Sequence, residues 1–217
     1  MGRKKIGLCV CYDTKNFGSQ LQVMATQKAI EMLGYDYEVI RYKKKLTPAF
    51  ILKSIPRLFN PYFVTTKIKK IKKQKSIKKH PEVERMVAIR NRRFDDFVKR
   101  YFTKLSRPYV GYKDLKKGTQ NYDAFLTGSD QLWLPGNLGS HFYTQEFVQE
   151  EMLKIAYATS FGVSHIPGYQ KSRTKYYLNR FQHLSSRELR GSEIIYELTG
   201  RQTATVADPT LLFSGAD

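Results

Sequence analysis

Short polar segments that suit anion binding or proton transfer follow two apolar runs of the sequence. Asn16-Phe-Gly18 comes after the run 6–12 and directly before a helical pattern. The free N–H groups and the dipole of a helix start favour an anion there, although a tight turn with Ser19 as helix N-cap explains the same residues. Gly128-Ser-Asp130 follows the run 122–127. Asp130 is a candidate to accept a proton from a hydroxyl group, with an ordinary turn aspartate as the alternative.

Two further residues have side chains suited to ligand binding. Arg187 stands beside Glu188 where a strand pattern gives way to a helical one. Its planar guanidinium can hold a carboxylate or a phosphate through paired hydrogen bonds, or it can simply pair with Glu188. Trp133, the only tryptophan, either stacks on a sugar ring or packs in the core.

The surrounding pattern alternates strands and helices along the whole chain. It predicts an α/β fold with a doubly wound, mostly parallel, Rossmann-like sheet, whose strand ends hold the polar segments. A chain of 217 residues suits one large domain of this kind. Since the first turn lacks the G-x-G-x-x-G pattern, a dinucleotide site is not indicated. Strands are predicted at 6–12, 37–42, 122–127, 154–159, 181–184 and 203–207, and helices at about 21–33, 82–102, 169–179 and 185–198.

A basic segment interrupts this alternation. Lysine and arginine recur from Arg41 to Lys79 without one acidic residue, and they account for much of the net charge of +19. Apolar residues lie between them, so we predict short amphipathic helices broken at Pro56 and Pro61, within a basic helical insertion at about 43–102. The apolar positions favour binding to an anionic membrane over nucleic acid, for which no motif appears; a solvated basic insertion is the plainer alternative.

Other features bear on location and metal binding. Cys9 and Cys11 are expected to be free thiols, which suits a reducing cytoplasm. No run approaches the roughly 20 apolar residues that span a bilayer. We therefore expect a cytoplasmic protein, either soluble or peripheral at the inner face of the membrane. The four histidines are scattered and share no ligand spacing with the cysteines, so no metal site is expected.

Five segments occur in order along the chain. These are Asn16-Phe-Gly18 before Gln20-Leu-Gln22, Thr127-Gly-Ser-Asp-Gln-Leu-Trp133, Ala156-Tyr-Ala-Thr-Ser-Phe-Gly162, Ser185-Ser-Arg-Glu188 and Val206-Ala-Asp-Pro-Thr-Leu211. Their combination is specific and resembles the polysaccharide pyruvyl transferase family, and the resemblance covers nearly the whole chain.

The resemblance implies a GT-B-like architecture of two domains, of which residues 1–217 form the N-terminal, acceptor-side one. Phosphoenolpyruvate would be the donor substrate, with no cofactor, and the acceptor a lipid-linked or glycan-borne sugar of a cell-surface polysaccharide or exopolysaccharide. Arg187 matches the family's arginine and is expected to bind the anion, while Asp130 is expected to contact the acceptor or act as base. The remaining expected substrate-binding residues are Asn16, Gly18, Ser129, Trp133, Ser160 and Gly162.

The resemblance also implies a second domain after the Asp-Pro-Thr segment, whereas this sequence ends at Asp217. We therefore expect the chain alone to be incomplete as a catalyst. Two other functions remain open from the residues: a GT-B-like glycosyltransferase, which would consume a sugar nucleotide, and a non-catalytic basic domain that binds membrane or nucleic acid.

Overall fold

In the computed structural model, the chain divides into two compact units. The structure describes residues 3–45, 68–69, 72, 75–136 and 141–214. The first unit comprises Met1–Lys44 and Arg100–Asp217, and the second comprises Lys45–Lys99. No helix in the described part of the chain is long and apolar enough to cross a membrane.

The first unit is built on one sheet of seven parallel strands, in the order β3-β2-β1-β4-β5-β6-β7. The predicted α/β class with a parallel Rossmann-like sheet is confirmed. The strands are β1 (Lys5–Cys9), β2 (Asp36–Lys43), β3 (Leu105–Val110), β4 (Ala124–Gly128), β5 (Leu153–Thr159), β6 (His183–Ser186) and β7 (Ala204–Thr205).

Helices connect most of these strands, as parallel pairing requires. The described helices are α1 (Phe17–Met32), α2 (Pro81–Tyr101), α3 (Tyr112–Lys117), α4 (Gly168–Asn179) and α5 (Leu189–Thr199), with 3₁₀ turns at Gly118–Asn121 and Pro209–Leu212. Gly200 ends α5 with φ of 75°, a left-handed conformation that glycine adopts without strain.

The direction of the chain across the sheet reverses at β1. Leu8 of β1 lies opposite Val39 of β2 on one side and Leu126 of β4 on the other. The chain therefore adds β2 and β3 in one direction and β4 to β7 in the other. The loops after β1 and β4 diverge at this switch point, and open α/β sheets bind ligands in the crevice that results.

The sheet is covered on both faces, so its central strands are buried along their length. All five residues of β4 are buried, as are four of the five in β1. Two clusters of buried apolar residues pack against the sheet, one around Phe125 and one around Trp133. Continuous apolar runs, rather than alternating ones, are what buried parallel strands require, which is why these strands could be predicted.

Other elements differ from their predicted positions. The edge strand β3 and helix α3 were not predicted, because β3 contains Arg107-Pro108 and only two of its residues are buried. Strand β6 runs two residues later than predicted and includes Ser185 and Ser186, so α5 begins at Leu189 rather than at about 185. The N-cap is Glu188, which makes no side-chain capping bond.

The second unit is described only in part. It contains a helical segment at residues 75–79 and the greater part of α2. Glu82 and Glu84 lie in the first turn of α2, where the helix dipole favours negative charge. The short helices predicted around Pro56 and Pro61 lie outside the described residues.

Candidate active site

Polar residues gather where five of the parallel strands end. The chain leaves β1, β4, β5, β6 and β7 at the same edge of the sheet, and residues that follow four of them, β1, β4, β6 and β7, line a cavity of about 280 Å³. It lies at the switch point between β1 and β4, where the topology predicts a ligand crevice. The residues that line it are Asn16, Gly18, Ser19, Leu21, Gln22, Asp130, Arg187, Asp208 and Thr210.

The start of α1 forms one side of the cavity. Asn16, not Ser19, is the N-cap, because its Oδ1 atom accepts a hydrogen bond from the Ser19 backbone N–H at 3.1 Å. A Cβ atom at Gly18 would stand 3.3 Å from that same oxygen, so the residue next to the cap fits best without a side chain. The positive end of the helix dipole is thereby placed at the cavity.

Asp130 is held in one orientation by bonds to both carboxylate oxygens. Ser19 Oγ donates to Oδ2 at 2.6 Å, and the Gln131 backbone N–H donates to Oδ1 at 2.8 Å. The backbone of Asp130 has φ of 79°, a left-handed conformation that aspartate tolerates better than most residues. Since a carboxylate offers about four lone-pair positions, each oxygen can still accept a bond from a ligand.

Gly128 allows β4 to end this close to β5. Its φ is 151°, and a Cβ atom built on it would stand 1.8 Å from the carbonyl oxygen of Tyr157. No side chain fits in that space. The glycine therefore sets the path by which Ser129 and Asp130 leave the sheet.

Arg187 pairs with Asp208 across the carboxyl ends of β6 and β7. The distance from Nη1 to Asp208 Oδ2 is 3.1 Å, and Ser129 Oγ also donates to this oxygen. Thr210 donates to the other oxygen through both its backbone N–H, at 3.0 Å, and its Oγ1, at 2.8 Å. Burial raises the pKa of Asp208, but the bonds from Ser129, Thr210 and Arg187 outweigh it, so the net pKa is lowered and the carboxylate is ionised.

Residues that follow β5 hold the backbone of Asp130 and the side chain of Glu188. The Ser160 backbone N–H donates to the Asp130 carbonyl at 3.0 Å, and Ser160 Oγ donates to Glu188 Oε1 at 2.6 Å. The Gly162 N–H donates to the same hydroxyl at 3.1 Å. Glu188 stands 3.7 Å from Arg187 Nη2, so the loops after β4, β5 and β6 form one network.

The structure brings together most of the residues predicted for the site. Asn16, Gly18, Asp130 and Arg187 line the cavity directly. Ser129, Ser160 and Gly162 do not line it but hold residues around it.

Trp133 lies elsewhere. Its side chain is 0% exposed and packs on Phe161, Tyr177 and Phe181, while its Nε1–H donates to the Tyr143 carbonyl at 3.2 Å. A ring with no exposed face cannot stack on a sugar. In this structure Trp133 is therefore a core residue, and the alternative of a packed tryptophan accounts for it.

Sequence reasoning missed five residues that line the cavity. Asp208 and Thr210 follow the strand predicted at 203–207, but no local pattern shows that this strand end lies beside Arg187. The other three, Ser19, Leu21 and Gln22, belong to the first turns of α1. These three could have been predicted, because a helix that starts beside a strand end turns its first residues toward the ligand crevice.

The cavity lining carries more negative than positive side chains. Asp130 and Asp208 supply two negative charges, and Arg187 supplies the one positive side chain among the lining residues. Carboxylates accept hydrogen bonds from hydroxyl groups, and the arginine offers donors to an anion at the same place. The lining is thus suited to a neutral polyhydroxyl compound next to an anionic group.

A second ion-pair network lies away from the cavity and joins the connection between β4 and β5 to α4. Glu146 accepts a bond from Thr144 Oγ1 at 2.6 Å, lies 3.0 Å from His141 Nδ1 and pairs with Arg173 Nη2 at 3.0 Å. Burial raises the pKa of Glu146, but these bonds and the charge of Arg173 outweigh it and bring the pKa to about 2. None of the four residues lines the described cavity.

The chain is a parallel α/β protein with a cavity lined by charged and polar side chains at its topological switch point. A family model described as polysaccharide pyruvyl transferase matches residues 16–217. The chain belongs to this family of transferases, whose name implies a glycan acceptor. The resemblance noted from the ordered motifs is thus confirmed. Comparisons with curated proteins and with solved structures gave no match.

Proposed function

We propose that this chain forms the acceptor-binding side of an enzyme that transfers pyruvyl from phosphoenolpyruvate to a sugar of a cell-surface polysaccharide or exopolysaccharide. The observation that carries the proposal is the convergence of Asp130, Arg187 and Asp208 on one cavity at the switch point. Membership of the family supports the reaction class.

The proposed reaction joins two sugar hydroxyls to one carbon of the donor. Protonation of the phosphoenolpyruvate methylene makes its C2 carbon electrophilic, and the first hydroxyl adds there. Phosphate then leaves and the second hydroxyl adds, which completes the ketal. Of the two hydroxyl protons released, one replaces the proton that formed the methyl group and the other leaves with phosphate. The enzyme must therefore accept protons from hydroxyls and bind an anion.

The cavity contains groups for both tasks. Asp130 is oriented by Ser19 and Gln131, and its remaining lone pairs suit it to bind and deprotonate an acceptor hydroxyl. Arg187 is partly exposed, and its bonds to Asp208 and Ser129 are made through Nη1. Its Nη2 lies 3.7 Å from Glu188 Oε1, and the remaining N–H groups of the guanidinium are suited to hold the carboxylate or phosphate of the donor.

One arginine against two carboxylates is too little positive charge for a donor as anionic as phosphoenolpyruvate. We therefore propose that this side holds the acceptor and that most cations for the donor come from a second α/β domain, in a GT-B-like arrangement. The resemblance of the ordered motifs supports that arrangement.

Phosphate release tests the reaction. The complete gene product is incubated with phosphoenolpyruvate and with polysaccharide or lipid-linked oligosaccharide from the producing cell. We expect phosphate release only when both are present, with a pyruvate ketal on the glycan by NMR. Consumption of a sugar nucleotide in place of phosphoenolpyruvate would show a glycosyltransferase instead and overturn the proposal.

We also propose that the basic segment 41–79 binds an anionic membrane surface near the acceptor, on the cytoplasmic side. Its lysines and interleaved apolar residues support this, and the described Lys75, Lys78 and Lys79 are exposed. The protein should sediment with vesicles of phosphatidylglycerol but not of phosphatidylcholine, and replacing the lysines of 67–79 by glutamine should abolish sedimentation. Equal binding to both vesicles, or salt-sensitive binding to DNA or RNA alone, would contradict it.

A further inference from the structure

Gln22 differs from every other residue of the cavity wall. It lies in α1, lines the cavity and is 2% exposed. Neither Nε2 nor Oε1 of its side chain has a hydrogen-bond partner among the described residues. Of the nine lining residues, it is the only one with such buried, unpartnered atoms in the described part of the chain.

Two unpaired atoms on one buried amide need an explanation. A primary amide carries two N–H donors and a carbonyl that accepts two bonds, and burying it unpaired is unfavourable. Native proteins pair almost all such groups with protein, water or ligand. Since the residue lines the cavity, a ligand that enters the cavity is placed to pair with it.

The chemistry of the amide restricts that partner. Phosphate and carboxylate groups only accept hydrogen bonds, and an ammonium group only donates them, so each would leave one side of the amide unpaired. A pair of hydroxyls satisfies both sides, because one hydroxyl oxygen accepts from Nε2 while the other hydroxyl donates to Oε1. The excess negative charge of the lining, from Asp130 and Asp208 against Arg187, also favours a neutral compound.

We propose that Gln22 is a specificity-determining residue of the acceptor subsite, whose amide binds two neighbouring hydroxyls of the sugar. The inference rests on the proposed function, since it takes the cavity as the place of the acceptor. Within the cavity, Gln22 then selects the arrangement of the hydroxyls, and Asp130 accepts the proton.

The test compares Gln22→Met with Gln27→Met. Methionine has nearly the shape of glutamine without its polar amide. Gln27 lies on the same helix and is 3% exposed, and its Oε1 is also unpartnered, but it does not line the cavity. Its Nε2 donates to the Tyr101 carbonyl at 3.4 Å. It therefore controls for the loss of a buried glutamine on α1.

Calorimetry with methyl galactoside, glucoside and mannoside measures sugar binding by the full 217-residue chain. We expect millimolar binding of at least one sugar, weakened about 10- to 100-fold by Gln22→Met and unchanged by Gln27→Met. A deoxy analogue that binds the wild type less tightly should lose no further affinity in Gln22→Met. The same variant should raise the Tm by about 2–4 °C, because it removes unpaired buried atoms.

Each contrary result overturns the inference. It falls if the wild type binds none of the three sugars, or if Gln22→Met binds them as the wild type does. Phosphate release from phosphoenolpyruvate by the complete gene product distinguishes a failure of the proposed role of Gln22 from a failure of the proposed reaction. Release with an unchanged acceptor KM in Gln22→Met removes the role of Gln22 and leaves pyruvyl transfer standing. Weakened sugar binding without release leaves Gln22 standing and removes pyruvyl transfer.

Discussion

Two ion-pair networks of similar composition occupy different parts of the first unit. In the cavity network, Arg187, Ser129 and Thr210 surround Asp208. In the connection network, defined by its contacts to Glu146, the partners are Arg173, His141 and Thr144. Each network holds one ionised acid with an arginine and at least one hydroxyl, and in each the bonds lower the pKa of the acid.

The networks differ in what lies beside them. Arg187 and Asp208 line the cavity at the carboxyl ends of β6 and β7, whereas the connection network joins the segment after β4 to α4 and lines no part of it. Glu146 is also the more buried acid, 11% exposed against 18% for Asp208. An arginine–carboxylate pair therefore indicates function through its place in the fold, not through its own chemistry.

The largest expected effect separates the two arginines. Arg187→Ala in the complete gene product should lower pyruvyl transfer about 10²- to 10³-fold, because the anion loses a preorganised cation. Arg173→Ala should leave turnover within about threefold, since its pair lies off the cavity. Phosphate-release kinetics measure both, with circular dichroism to check folding. Arg187→Lys, which keeps the charge but loses the fork, should fall between them. Equal losses of turnover in the two alanine variants would show that the two arginine–carboxylate pairs do not differ in function.

The next largest effect is the loss of the stability that the connection network contributes as the pH falls. The pKa of Glu146 is lowered from 4.5 to about 2, so the ionised form is the one that folding favours. Its contribution, about 3 kcal/mol, is complete above pH 4.5 and is lost as the pH falls toward 2. Glu146→Gln should remove it at neutral pH and flatten the pH dependence in that window, while turnover is unchanged. Urea unfolding at several pH values measures this, and an unaltered pH profile would contradict it.

A smaller loss is expected from the acid of the cavity network. Asp208→Asn weakens the charge-assisted bonds from Arg187, Ser129 and Thr210 and should cost about 2 kcal/mol at neutral pH. The pKa of Asp208 is lowered from 3.8, so this contribution is present above about pH 4 and declines below it. Unlike Glu146→Gln, the substitution should also change turnover, because it releases Arg187. Should turnover stay at the wild-type level, the pair would be structural in both networks.

The smallest expected effect concerns the hydroxyl behind Asp130. Ser160→Ala removes the bond to Glu188 Oε1 and the acceptor of the Gly162 N–H, but keeps the backbone bond to the Asp130 carbonyl. We expect a loss of about 1 kcal/mol and a Tm lower by about 2–4 °C, with turnover reduced only a few-fold. Thermal unfolding and phosphate release check this. A loss of turnover as large as that of Arg187→Ala would place Ser160 in contact with substrate.

Much of the fold could be predicted from the sequence because its signals are local. Buried parallel strands are continuous apolar runs, so β1, β4 and β5 were found close to their true positions. Strand β3 was missed because an edge strand is stabilised by pairing with β2 and not by a local pattern. The position of β6 was misjudged because Phe181, read as part of the strand, is instead a core residue beside Trp133.

Site residues could be predicted only where the sequence pattern marked the end of a strand. Asp130 and Arg187 follow recognisable strands, and the structure brings both to the cavity. Asp208 joins them through contacts to Ser129 and Arg187 that span 79 and 21 positions of sequence, and no local pattern records such contacts. Gln22 belongs to one of the ordered motifs but was not predicted to bind substrate, since a glutamine in a helix becomes notable only when its neighbours are known not to pair with it.

The adjacency of β1 and β4 has a consequence for how the protein is made. Lys5 donates its backbone N–H to Asp123 at 2.7 Å, a contact between residues 118 positions apart. During synthesis β1 can pair with β2 almost at once, but its other edge stays open until β4 at Ala124–Gly128 has been translated. Non-local pairings of this kind slow folding and leave strand edges exposed to other chains. We therefore expect refolding in vitro to be slow and to lose yield as the protein concentration rises.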